Sequence, residues 1–229
     1  MPNWVENQLL IHGDAAPVLD SIKGTDTPFD FNQVVPMPRE LDVESGTKAD
    51  VALLCAEGIG LGDFGKYPWV KEAGITTPQE LCQHYGFHFE DMVKFGQQLL
   101  DNIKRFGHPS WYGWRCENWG TKWNACDPEL FELQGRSGVL FDTAWSPPIE
   151  LVRALGRRFP LIEISLAWFS LENEDAGVIR VHGEQGIFKP VEVGDFRPLE
   201  NLNDLALSWR GPCECKKCKA AALERHSLN

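Results

Sequence analysis

The apolar residues of this chain change their spacing twice, and that change limits the folds open to it. A period of two marks a half-buried strand, and a period near 3.6 marks an amphipathic helix. Near the start, Val5, Leu9 and Ile11 point one way and Glu6, Gln8 and His12 the other, which predicts a strand over 4–12 ended by Gly13. Asp14 is placed to cap a short helix bearing Val18, Leu19 and Ile22, with Gly24 as its stop. Phe29, Phe31 and Val35 then alternate up to Pro36 and Pro38, predicting a second strand and so a β-α-β unit.

Residues 39–110 change period. Val51, Leu54 and Cys55 fit a short helix, and Thr77-Pro78-Gln79-Glu80 is a capping box with proline at the first helical position. Phe89, Met92, Val93, Gly96, Leu99, Leu100, Ile103 and Phe106 recur at helical spacing. Lys104 and Arg105 suit the negative end of that helix, and Gly107 and Pro109 end it.

After residue 125 the period returns to two. "ELFELQG" and "GVLFDTAWS" read as neighbouring strands joined by a Gly-Arg-Ser-Gly turn, with Val139, Phe141, Thr143 and Trp145 on one face. "SPPIELVRALGRRFP" predicts a helix capped by Ser146, with Pro147 at its start and Ile149, Val152, Leu155 and Phe159 as its buried stripe. "LIEISLAWF" alternates, with Ile162, Ile164, Leu166 and Trp168 inward and Glu163 and Ser165 outward, and "GVIRVHG" pairs back on it.

The order β-α-β, helical insertion, β-β-α-β-β predicts an α+β fold, a ferredoxin-like antiparallel sheet with an insertion between its halves. Residues 1–38 and 109–190 are expected to form the ferredoxin-like domain and residues 39–108 the helical insertion. Residues 191–229 are expected to be a C-terminal extension with a poorly anchored, Cys-rich tail. At 229 residues with 43% hydrophobic content, the chain can bury a full core without a staple.

Four strings occur in order: "MPNW", "VVPMP", "NWGTKWNA" and "TAWSPP". Over residues 1 to about 190 they make the chain resemble the YubB-like family of plasmid and phage proteins. That resemblance implies a ferredoxin-like domain and a mobile-element setting, with no established activity. The chain departs from the family at Val5, where the family has Cys, which argues against a metal or redox role there.

Function classes narrow as follows. The net charge of −11 opposes non-specific duplex binding and suits a basic partner. The start carries no signal peptide and the chain no apolar run able to span a bilayer, so no membrane role and a cytoplasmic location are expected. An odd number of cysteines, seven, predicts mostly free thiols. No Walker A, HExxH or G-x-S-x-G string is present. "GLGDFG" at 60–65 fits G-x-G-x-x-G, but Pro68 falls where the required helix should run, so a flexible loop is expected.

The sharpest feature is a cluster holding four of the nine tryptophans, Trp111, Trp114, Trp119 and Trp123, with Arg115, Asn118 and Lys122 among them. An extended conformation would put Trp119, Thr121 and Trp123 on one face. Two readings stand open. The cluster is a packed structural corner, or those seven residues are a binding surface where bases stack on indoles and Lys122 and Arg115 meet phosphate. Lys122 with Glu117 is the candidate for an unrecognised catalytic site. Cys213, Cys215 and Cys218, with His226 as a possible fourth ligand, are the candidate zinc site, and no other cofactor is expected. His84 and His88 are four apart, but Gly86 between them argues against a metal site, and Arg153, Arg157 and Arg158 read as a solvated helix face. The leading expectation is a non-catalytic binding or accessory protein of a phage or plasmid with a protein partner. A single-stranded nucleic-acid binder is the alternative.

Overall fold

The computed structural model describes residues 3–58, 60–170, 175–182 and 185–191. The chain divides into two compact units, Met1–Pro36 with Arg115–Asn229, and Met37–Trp114.

The first unit is built on one six-stranded sheet. Its strands are β1 (Trp4–His12), β2 (Cys126–Leu133), β3 (Arg136–Ala144), β4 (Glu163–Ser170), β5 (Asp175–His182) and β6 (Gln185–Val191), in the order β2-β3-β1-β4-β5-β6. Every neighbouring pair is antiparallel. Because β1 runs against both β3 and β4, those two strands run the same way. Helix α8 (Ile149–Arg158) joins them, making a split β-α-β with β1 in the middle. The fold is α+β and ferredoxin-like.

The register sorts the sheet into two faces. Val5, Asn7, Leu9 and Ile11 lie opposite Thr143, Phe141 and Val139 on one side and Trp168, Leu166 and Ile164 on the other. These residues are almost wholly buried. Phe29 and Phe31 meet Phe141 edge-on at 5.0 and 6.0 Å, so this face holds the core. The expected polar-out alternation fails on the other face, where Gln8, Leu10, Ser165 and Ala167 are fully buried too.

Several expectations are corrected. Residues 29–35 are not a strand. They hold a short helix α2 (Phe31–Val34), which follows α1 (Ala16–Ile22). The Asp30 carboxylate accepts from the Asn32 N–H, and the Asn124 carbonyl accepts from the Phe31 N–H at 2.8 Å. Side chains therefore supply the backbone partners that a sheet ladder would have given. The Asp14 carboxylate does accept from the Ala16 N–H, at 3.3 Å, but from one position outside the cap. The β2–β3 turn is Gln134-Gly135, with φ of 51° and 74°, the two positive values of a type I′ hairpin. Helix α8 is not capped by Ser146, whose hydroxyl instead donates to the Gly120 carbonyl at 2.7 Å. Arg158 on that helix donates to the Gln33 carbonyl and Arg153 pairs with Glu150, so this basic stretch is partly engaged.

The second unit is helical. It contains α3 (Thr47–Glu57), α4 (Pro68–Glu72), α5 (Pro78–Tyr85), α6 (Phe89–Phe106) and the start of α7 (Trp111–Asn118). Val51, Ala52, Leu54, Leu81, Met92 and Leu99 lie in its core. The close crossing of α3 and α6 requires Gly96, since a Cβ there would lie 2.0 Å from the Ala52 carbonyl oxygen. The expected capping box at Thr77 and Glu80 is present, and α6 spans the residues its periodicity predicts. "GLGDFG" forms a short 3-10 turn over Gly62–Lys66 and runs into α4 at Pro68, so the flexible-loop expectation is corrected there. His84 lies flat on Trp69 at 4.9 Å, as an aromatic packing partner. No helix among the described residues is long and apolar enough to cross a membrane.

Candidate functional site

The tryptophan cluster is not extended. Helix α7 ends at Asn118, and the Trp119 N–H donates to the Arg115 carbonyl at 2.8 Å as the chain turns away. The turn sends successive side chains to opposite fates.

Trp119 goes into the core. It has no exposed surface, its indole N–H donates to the Val35 carbonyl at 2.9 Å, and Phe31 meets it edge-on at 5.6 Å. The Arg115 guanidinium caps its ring at 5.0 Å. As a stacking residue Trp119 is therefore corrected, because no face of it reaches a ligand. Gly120 has φ of 85°, and a Cβ there would lie 3.1 Å from the Ile149 nitrogen. The corner is thus packed against the entry to α8. Thr121, 1% exposed, donates to the Ala144 carbonyl at 2.9 Å and ties the turn to the end of β3. Asn118 and Arg115 are half-buried. In the second unit, Trp114 is buried and Trp111 meets Tyr112 edge-on at 5.6 Å.

Lys122 and Trp123 go to the surface. Two tryptophans that sequence reasoning left out of the site join them, Trp4 at the start of β1 and Trp145 just beyond β3. The Lys122 ammonium lies 4.2 Å from the Trp123 ring centre and 3.5 Å from that of Trp145. Trp4 tilts against Trp123 at 6.0 Å. Trp4 is 38% and Trp145 49% exposed, which is high for indoles. Trp145 does not share the face of Val139 and Phe141. Its φ is 74°, a left-handed conformation that a bulky residue seldom adopts, and its N–H is held by the Asn3 carbonyl at 2.8 Å. The strings "MPNW", "NWGTKWNA" and "TAWSPP" each contribute an indole to this surface. The missed signal was that Trp4 and Trp145 each lie within one of those strings.

Carboxylates flank the indoles. Glu6 lies two residues from Trp4 along β1 and pairs with Asp142, as Trp4 pairs with Ala144. Burial, reinforced by the charges of Glu6 and Asp127, pushes the Asp142 carboxyl above its ordinary range. Glu6 and Asp127 are exposed.

A second polar group occupies the opposite end of β1. The His12 Nε2 lies 2.8 Å from the Ser165 hydroxyl, and its Nδ1 lies 3.8 Å from Glu163. Serine, histidine and carboxylate in that order resemble a hydrolytic triad, but the geometry opposes catalysis. Ser165 is fully buried, the His12–Glu163 separation is too long for a hydrogen bond, and Arg180 holds the same Glu163 oxygen at 3.2 Å. Burial first, then the charges of Arg180 and Arg136, lower the His12 pKa to about 4, so the imidazole is neutral at pH 7. The group is a buried polar network.

Cys213, Cys215, Cys218 and His226 lie outside the described residues. Among the described residues no cluster of three metal-ligating side chains occurs. The Lys122 ammonium is engaged with the Trp123 and Trp145 rings. Glu117 is exposed on α7.

No curated protein matches the chain. Among solved structures, a crystal structure of the protein api92 from Yersinia pseudotuberculosis is similar at 14% identity and a TM-score of 0.44, covering 86% of this chain and 100% of that one. Residues 118–205, which begin at the tryptophan corner, match a family model described as a ferredoxin-like domain in Api92-like protein.

Proposed function

We propose that the protein is a non-catalytic cytosolic binding or accessory protein of a phage or plasmid, and that it works through protein contacts at Trp4, Trp123 and Trp145. The mobile-element setting rests on the four ordered strings and their resemblance to YubB-like proteins. The observation that carries the protein-contact reading is the pair of exposed indoles, Trp4 and Trp145, beside the half-buried Trp123, with Trp145 in a left-handed backbone conformation and accessible carboxylates nearby. Exposed tryptophans are typical anchors of protein interfaces. A carboxylate border repels phosphate and attracts cationic side chains.

The alternative, a single-stranded nucleic-acid binder, is favoured by the Lys122 ammonium set beside the Trp123 and Trp145 rings. Titrating a fluorescent oligothymidine at low salt separates the two. The protein-contact reading expects no saturable binding below micromolar protein. It further expects proteins captured by the wild type from plasmid-bearing or infected cells to be lost by a Trp4→Ala/Trp145→Ala variant that melts normally. Sub-micromolar oligothymidine binding abolished by that variant establishes the nucleic-acid reading instead.

A further inference from the structure

We propose that Trp123 and Trp145 form a cage for an alkylammonium group, which Lys122 fills in the free protein and a lysine side chain of the partner fills in the complex. This rests on the protein-contact reading and names what that contact takes.

The seated Lys122 is itself the evidence that the cage suits a cation. Its ammonium lies within 4.2 Å of one ring centre and 3.5 Å of the other, inside the range of about 6 Å over which a ring face attracts a cation. The cage is built rather than incidental. Thr121 anchors the turn that carries Lys122 and Trp123, and the Asn3 carbonyl holds Trp145 in a left-handed backbone conformation. Lys122 is half-buried, so part of its side chain already meets solvent, the route by which the ammonium would leave. Glu6, Asp127 and Asp142 supply the charge complement to a basic segment, and the −11 net charge adds long-range attraction.

Exchange has a distinctive consequence. A built-in occupant competes with the ligand, so apparent affinity falls by the fraction of time the cage stands empty. Removing Lys122 should therefore strengthen cation binding. A nucleic-acid platform expects the reverse, since Lys122 would then be a phosphate contact.

The test uses the full chain and calorimetric titration with a short acetylated glycine-alanine peptide carrying one trimethyllysine. Its control is the same peptide with the neutral tert-butyl isostere. Lys122→Met keeps the apolar stem, and Lys122→Gln is the second variant if the first does not fold. The cage expects about tenfold tighter binding of the cationic peptide by the variant than by wild type, if Lys122 occupies the cage about nine-tenths of the time. It expects no binding by Trp145→Ala and none of the neutral peptide. Equal or weaker binding by both Lys122 variants overturns the cage, as does equal binding of the neutral peptide. If captured partners are still lost by Trp4→Ala/Trp145→Ala, the cage alone has failed. If they are retained, the contact surface has failed with it.

Discussion

Trp119 and Trp123 stand four residues apart in one string and have opposite environments. Density of indoles made a packed corner legible in the sequence, but not which rings it takes. That choice depends on the helix ending at Asn118 and on the left-handed turn at Gly120, neither of which leaves an apolar period to read. The two rings should respond differently to truncation. Trp119→Ala empties a fully buried site and strands the Val35 carbonyl, and should cost about 3–5 kcal/mol by chemical denaturation. Trp123→Ala, half-buried, should cost about 1–2 kcal/mol. At the other end of β1, His12 gives a pH signature. Its folded-state pKa is lowered to about 4, while the unfolded chain takes up that proton near the ordinary imidazole value of 6.5. Its contribution is therefore fully present above pH 6.5 and lost as pH falls toward 4. Denaturation midpoints across that window should fall more steeply for wild type than for His12→Gln.

At the scale of elements, legibility followed local chemistry. Helix α6 announced itself through eight apolar positions and a basic last turn, and α5 through its capping box. The segment 29–35 did not, because Phe29, Phe31 and Val35 alternate as a strand would. What overrides the pattern is Asn124, 93 residues beyond Phe31, which accepts from the Phe31 N–H and donates to Asp30 at 2.7 Å. A residue so distant leaves no mark in the local spacing. Asn124→Ala should leave the Phe31 N–H without its partner and cost about 1–3 kcal/mol. Hydrogen exchange at Phe31 and Asn32 should accelerate in that variant while the strands of the sheet keep their protection.

Across the whole molecule, charge and aromatic surface act together. The −11 charge was plain from composition, but its meaning depends on where carboxylates lie relative to open indoles. Glu6, Asp127 and Asp142 come from three different strands and meet only through strand pairing. A partner attracted by them should associate more slowly at high salt, and Glu6→Lys with Asp127→Lys should slow association further at low salt. The most direct measurement of the central claim, that the cluster divides into a buried corner and a cation-receptive surface, is fluorine NMR of the protein labelled with 5-fluorotryptophan. Its nine tryptophans are assigned by single Trp→Phe substitutions. On titration with a lysine-rich peptide at low salt, the Trp4, Trp123 and Trp145 resonances should shift together while Trp119 and Trp168 stay fixed, and oligothymidine should move none of them. Oligothymidine shifting the same three, or the peptide shifting Trp119 and leaving Trp145 unmoved, would contradict the account.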